Sequence, residues 1–384
     1  MKRRKTKNHL HNLKPLTLRI TDVSRSGAGV ARDENQRVTF VPFTAPGDLA
    51  KIKLTKATSK FAEAQLMEVI EPSEQRVEAK CPVFMRCGGC QWQHLPYELQ
   101  WQTKVKGVQD SLQLNKVQLT ENIDEFPAKQ IWSYRNRIQL KGNHTGIGFY
   151  EAKSNNLVTI EQCPIADEKL NAAIPATLEA AKQEKKAYKV ELALTADGKV
   201  TKTWNSIHGA EGFRQVNDEQ NANLQSWIRS HVDKDIAILD LYGGAGNLSK
   251  PLIDIATEIH CVDLNVSESS ENLPDYFHFH RSAVLPWLKQ HKCNKDLQWV
   301  AIIDPPRGGL GDELMEILQY LKKNQVKTII LVGCKTDPWS RDIAQMLNLK
   351  WKLDKVAIMD FFPQTFHVET AALLKFNSKK SKSS

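Results

Sequence analysis

Cys334 closes the apolar run Thr328–Gly333, and a thiol at the end of a buried strand has a direct chemical use when acids stand nearby. Three further apolar runs each end in, or carry near their end, an aspartate: Asp240 in Ile236–Leu241, Asp263 in Ile259–Asp263, and Asp304 in Trp299–Asp304. Parallel strands present their carboxyl ends to one edge of a sheet, where ligands bind. A thiol and three carboxylates on such an edge would share one cleft. Phe361-Phe362-Pro363-Gln364-Thr365-Phe366-His367-Val368-Glu369 adds His367 and Glu369, two apart and so on one side of an extended chain. Either could serve as a base, His367 alternatively as a hydrogen-bonding partner behind the site. The chemistry implied is addition of a thiolate to an electrophilic carbon, followed by removal of a proton.

The loop Asp240-Leu241-Tyr242-Gly243-Gly244-Ala245-Gly246-Asn247 leaves a buried strand with glycines that let the backbone approach a ligand. It is neither the G-x-G-x-x-G of dinucleotide enzymes nor a P-loop with its lysine. An acid ending the next strand, Asp263, can accept the hydroxyls of a ribose. Together the two features favour S-adenosylmethionine (SAM) over a dinucleotide. Carbon 5 of uracil is too poor a nucleophile to take a methyl group from a sulfonium unaided. A thiolate added to carbon 6 would activate it, and a base would then clear the proton from carbon 5.

Continuous apolar strands alternating with helical stretches from residue 213 to 376 predict a parallel α/β sheet covered on both faces. Residues 14–72 read instead as short strands: Thr17–Thr21, Val38–Val41, Ala50–Leu54 and Ala64–Ile70, punctuated by Ser26–Gly29 and Pro46–Asp48. That spacing predicts a small barrel. Residues 73–212 carry a helix over Pro96–Leu114, strands near Ile138–Leu140, Ile147–Tyr150 and Lys189–Leu194, and a cysteine cluster. Residues 1–13 form a basic tail and 377–384 a Lys- and Ser-rich tail expected to be disordered.

The 384-residue chain has a formal net charge of +9 and a pI of about 9.0, which favours a polyanionic partner. No apolar run approaches a membrane span and no secretory signal opens the chain, so a cytoplasmic protein is expected. Seven cysteines, three of them tightly spaced, argue for reduced thiols used in metal binding or catalysis. Cys81, Cys87 and Cys90, with Cys163 as a distant fourth, suit either structural zinc or an iron–sulfur cluster.

Taken together, Cys-x5-Cys-Gly-Gly-Cys, Ser-Tyr-Arg-Asn, Phe-x-Gln-Val-Asn, Asp-Leu-Tyr-Gly-Gly-Ala-Gly-Asn, Asp-Pro-Pro-Arg-x-Gly and Phe-Pro-x-Thr-x-His-Val-Glu resemble the RNA 5-methyluridine methyltransferases over residues 14–376. The resemblance implies a Rossmann-like SAM-dependent methyltransferase domain at 213–376. It implies an OB-like TRAM β-barrel for RNA at 14–72, and a small α+β central domain at 73–212. Cys334 looks like the nucleophile and Glu369 like the base. Gln215, Tyr242, Asn247, Asp263 and Asp304 look like SAM-binding and cleft residues, and Ser282 falls where a residue near the adenine is expected. The resemblance turns the four-cysteine set toward a [4Fe–4S] cluster of structural role. The combination of TRAM domain and cysteine cluster looks most like the enzymes acting on 23S ribosomal RNA, though some archaeal transfer-RNA enzymes carry both; transfer RNA is the alternative substrate, and a catalytically weak or dead RNA-binding homologue the alternative class. No obligatory protein partner is implied. Three departures stand out. Gly333-Cys334-Lys335-Thr336 replaces the usual Ser-Cys-Asn-Pro, Tyr242-Gly243 replaces Phe-Cys, and Ser282 replaces Asn or Asp. Lys335 would either lower the thiol's pKa or point to solvent.

Overall fold

A computed structural model describes residues 14–143, 146–184, 186–205, 214–265 and 273–377; the expected tail 1–13, and all of the expected tail 377–384 but Asn377, lie outside the described residues. The catalytic-edge argument requires a parallel sheet, and the chain forms one. Ile236–Leu241 lies at its centre, flanked in parallel by Ala256–Asp263 and Trp299–Ile303, with Phe277–Arg281 and Thr328–Gly333 outside them. Alternate residues of the central strand feed two cores: Ala237, Leu239 and Leu241 face one side, Ile236 and Ile238 the other. That explains the unbroken apolar run, because both faces are dry.

Glu369–Phe376 then pairs antiparallel with Thr328–Gly333, and Trp351–Met359 antiparallel with it in turn. The reversal matters for the site. The start of Glu369–Phe376 lies at the same edge as the carboxyl ends of the parallel strands. Phe277–Arg281 and Trp351–Met359 had no strand expectation. Their sequences, FHFHR and WKLDKVAIM, mix imidazoles and charges into an alternation that reads as polar.

Residues 14–71 form a six-stranded sheet whose two end strands, Leu16–Arg19 and Asp22–Val23, are only two residues apart in the chain. A sheet whose opposite edges are so tethered must curl on itself. Its inner face carries Leu18, Ile20, Val41, Ile52 and Ala62. Ala28–Arg32, read as a break because of its glycines, is one of these strands. Gly29 is needed there, since a Cβ would stand 2.1 Å from Thr44 Oγ1.

In the central stretch, a five-stranded antiparallel sheet packs Ile138, Leu140, Val190 and Leu192 against Leu170 and Ile174 of the helix Glu168–Ala181. Residues 97–126 depart from it. Helix Tyr97–Leu114 buries Trp101, Val108 and Leu112 in the core of the large sheet, and Asp124–Phe126 pairs parallel with Ala357–Met359 as its eighth strand. Tertiary pairing decides this, since three residues carry no strand signal of their own. Among the described residues no helix is long and apolar enough to cross a membrane.

Candidate functional site

The antiparallel register sets Gly333 against Thr370, which leaves Cys334 and Glu369 at the same sheet edge, near enough for the carboxylate to act on the thiol. The thiol is half-buried; the carboxylate is buried, with 3% of its surface exposed. Burial pushes the Cys334 thiol up to about 11, and repulsion from Glu369 and Asp304 adds to it, while Arg307 pulls it down. Burial likewise holds Glu369 well above the ordinary carboxylate range, with Asp304 raising and Arg307 lowering it. Lys335 is exposed and faces solvent, so the cation beside the thiol is Arg307 of the Asp-Pro-Pro-Arg loop.

His367 precedes the strand and sits among the rings of Phe362 and Phe366, with centroids 6.0 and 4.4 Å away. Burial and the nearby Arg307, Lys104 and Arg135 push its imidazole down to about 4, so it is neutral at pH 7.

One layer across, three carboxylates gather at the strand ends. Asp304 is pushed up to about 7 by burial and by Asp240 and Asp263. Asp240 is fully buried; burial pushes it up to about 6, against a hydrogen bond from Ser249 Oγ (2.5 Å) that pulls it down. Asp263 Oδ2 accepts from Gly244 N (3.2 Å) and Oδ1 from Asn265 N (2.7 Å), which fixes the carboxylate against the glycine loop. Burial and mutual repulsion thus raise Asp240 and Asp304, an electrostatic setting that favours a cationic ligand.

The glycine loop is shaped by contacts rather than by flexibility. A Cβ on Gly243 would lie 2.5 Å from Asp240 Cγ and 2.6 Å from Cys261 Sγ. Tyr242 adopts φ 62°, a left-handed conformation unusual for its type, and its hydroxyl donates to Glu313. Asn247 is held by helix Asp218–Ser230: its amide donates to Asn221 Oδ1 (2.8 Å), and its Oδ1 accepts from Asn221 Nδ2 (3.0 Å) and Gln225 Nε2 (3.2 Å). Gln215 is buried just before that helix, its carbonyl accepting from Asn136 Nδ2 (2.9 Å). Ser282 follows the outer strand, its backbone N–H donating to Asp263 O (3.1 Å). Arg307, and the buried residues that hold the loop before Glu369, were not singled out as functional by the sequence.

Cys81, Cys87, Cys90 and Cys163 line one cavity of about 70 Å³ with Phe84, Phe149, Ile160 and Ile165. Two separate segments therefore bring four sulfurs to one apolar space. Among the described residues no group of three or more His, Cys, Asp or Glu side chains is gathered closely enough for a single metal ion.

Comparison with known proteins places this geometry. Residues 14–67 match the TRAM domain model, and residues 253–377 match the tRNA (uracil-5-)-methyltransferase model. An uncharacterized RNA methyltransferase of Bdellovibrio bacteriovorus is 33% identical, over 94% of this chain and 95% of its own length. A 23S rRNA (uracil(1939)-C(5))-methyltransferase of Shewanella halifaxensis is 28% identical over 94% of this chain and 96% of its own. In fold, the crystal structure of Pyrococcus abyssi tRNA (uracil-54, C5)-methyltransferase with S-adenosyl-L-homocysteine superposes with a TM-score of 0.72 at 23% identity, covering 94% of this chain and all of that one. The curled N-terminal sheet, the parallel sheet with its antiparallel end and near full-length similarity agree: this chain belongs to the RNA 5-methyluridine methyltransferase family that carries an N-terminal TRAM domain.

Proposed function

We propose that the protein methylates carbon 5 of a uridine in 23S ribosomal RNA, with SAM as methyl donor. The observation that carries the reading is the closeness of Cys334 and Glu369 at one sheet edge, either side of the registered pair Gly333–Thr370, beside three carboxylates. In this reading Cys334 Sγ adds to carbon 6, giving an enolate-like carbon 5. Carbon 5 takes the methyl group as the sulfur–methyl bond breaks, its electron pair leaving with the sulfur of S-adenosylhomocysteine. Glu369 then accepts the proton from carbon 5, the carbon 5–carbon 6 double bond re-forms and the thiolate leaves. Arg307 lowers the cost of the thiolate. SAM supplies an electrophilic methyl group and a positive charge. Gln215, Tyr242, Asn247, Asp263, Ser282 and Asp304 would hold it, Asp263 through the ribose hydroxyls. The target uridine must leave its stack to reach a half-buried thiol.

The curled N-terminal sheet and the net positive charge support RNA as partner, and relatives named for 23S ribosomal RNA favour it over transfer RNA. A cytoplasmic location accords with that substrate. The four-cysteine cavity supports a [4Fe–4S] group of structural role at Cys81, Cys87, Cys90 and Cys163. Tetrahedral zinc, with Zn–S bonds of about 2.3 Å, would draw the sulfurs around one point, whereas these line a cavity of about 70 Å³. Iron and sulfide analysis of wild-type and Cys163→Ser protein tests it.

The function is tested by mass spectrometry of digested 23S ribosomal RNA and transfer RNA from cells with and without the gene, complemented by Cys334→Ala. Loss of one ribosomal 5-methyluridine, restored by wild type and not by Cys334→Ala, is expected. Loss in transfer RNA would move the substrate, and unchanged RNA would refute the reading.

A further inference from the structure

Lys104 and Asp360 form an ion pair of 2.6 Å with both side chains fully buried. Such a pair is a poor stabiliser, because desolvation offsets its attraction and apolar residues often do as well. Its contacts suggest another use. Asp360 directly follows the strand Trp351–Met359, and residues 361–368 lead from it to Glu369. Lys104 Nζ also donates to Phe362 O (3.0 Å), and Asp360 Oδ1 accepts from Phe362 N (3.2 Å).

One helical turn earlier, Gln100 grips the middle of the same connection. Gln364 sits at φ 69°, a left-handed conformation unfavourable for a non-glycine residue. It is held there from every side. Its N–H donates to Gln100 Oε1 (2.9 Å), and its side-chain oxygen accepts from Gln100 Nε2 (3.1 Å). Its carbonyl accepts from both Gln91 N and Trp92 N (3.0 Å each). Tyr134 Oη donates to the preceding carbonyl, Pro363 O (3.1 Å). Gln100 and Lys104 lie on one face of helix Tyr97–Leu114, so a rigid element clamps two points of the connection.

We propose that Gln100 and Lys104 are positioning residues that fix residues 360–368 so that Glu369 stands opposite Cys334 when the carbon 5 proton is removed. The proposal rests on the assignment of Glu369 as base. Methyl transfer precedes that proton removal, so a loosened clamp slows the last step alone. The carbon 5–hydrogen bond breaks late, its electron pair is late in re-forming the double bond, and Cys334 Sγ stays bonded to carbon 6.

The test is single-turnover methylation of RNA with radiolabelled SAM, resolved by denaturing gel into free methylated RNA and methylated RNA still bound to protein. Gln100→Met and the double variant Lys104→Met/Asp360→Leu are compared with Glu369→Gln. The double variant removes both buried charges together, a replacement that buried pairs often tolerate, so a purely stabilising pair would leave it like wild type. Expected is a methylation rate within about threefold of wild type, product release slowed about 10- to 100-fold, and labelled RNA–protein adduct accumulating as in Glu369→Gln. Adduct in Glu369→Gln but release at the wild-type rate in both clamp variants overturns the proposal. Free product from Glu369→Gln at the wild-type rate overturns the base assignment and the clamp with it.

Discussion

The thiol of Cys334 should make formation of the RNA adduct steeply dependent on pH. Burial and the facing acids put its pKa at about 11. Only the thiolate adds to carbon 6. At pH 7 roughly one part in 10⁴ of such a thiol is ionised and at pH 8 roughly one in 10³, so the rate should rise about tenfold per pH unit across the neutral range. Arg307 is the cation that pulls this thiol down, and it is exposed, so water screens it. Arg307→Gln should therefore slow adduct formation at pH 7.5 by less than about tenfold, the equivalent of one pKa unit. The assay is rapid-quench gel analysis of the protein–RNA adduct in protein that retains Glu369, trapped by acid before the adduct resolves. A rate that stays flat between pH 7 and 9 would mean a thiol already ionised, and the burial argument would be wrong. An Arg307→Gln variant that forms adduct faster would reverse the assigned electrostatics.

Asp240 has a carboxyl raised to about 6 in the folded protein against an ordinary value of 3.8, so the fold prefers its protonated form. The stability this carboxyl permits is full below pH 4 and is lost as pH rises through 6, by about 3 kcal/mol for two pKa units. Asp240→Asn should thus raise the melting temperature of the ligand-free protein at pH 7.5 and lose that advantage near pH 4; a lower melting temperature at pH 7.5 contradicts it. Gly243→Ala places a methyl 2.5 Å from Asp240 Cγ and 2.6 Å from Cys261 Sγ, and overpacking of that kind costs about 1–3 kcal/mol. Thermal unfolding should show the loss, and Cys261→Ala in the same chain should recover part of it. Asp263→Ala removes the acceptor offered to the ribose, a charged hydrogen bond of about 1.5–3 kcal/mol, so calorimetry should find SAM bound about 10- to 100-fold more weakly.

The central strands were legible because burial on both faces leaves an unbroken apolar run, and Ile236–Leu241, Trp299–Ile303 and Thr328–Gly333 lie within a residue or two of their expected positions. Cys334 and Glu369 were legible as types. Their opposition depends on an antiparallel register that no local pattern encodes. Phe277–Arg281 stayed hidden because His278 and His280 turn inward onto His260, Trp287 and His291, so polar side chains stand where apolar ones would have signalled a strand. The clamp on residues 360–368 was out of reach for another reason. Gln100 and Lys104 are ordinary polar residues of a helix, and their partners lie more than 250 positions away. Arg307 stood inside a motif, yet only the fold reveals that it, and not Lys335, attends the thiol.

The placement of residues 97–126 in the large sheet changes how the chain can be divided. The methyltransferase unit is discontinuous, and the five-stranded domain interrupts it as an insertion between Phe126 and helix Asp218–Ser230. During synthesis, helix Tyr97–Leu114 emerges with Trp101, Val108 and Leu112 uncovered, and Asp124–Phe126 has no neighbour until Trp351–Met359 is made. The nascent chain must carry an unfinished apolar surface for most of its translation. A fragment beginning at the glycine-loop domain would leave the edge of Trp351–Met359 unpaired and the face under that helix bare, an edge of the kind that joins to other chains. The inserted domain is still tied to the catalytic sheet through Tyr134 and Pro363, and a cut at its boundaries would separate that sheet from its own first helix.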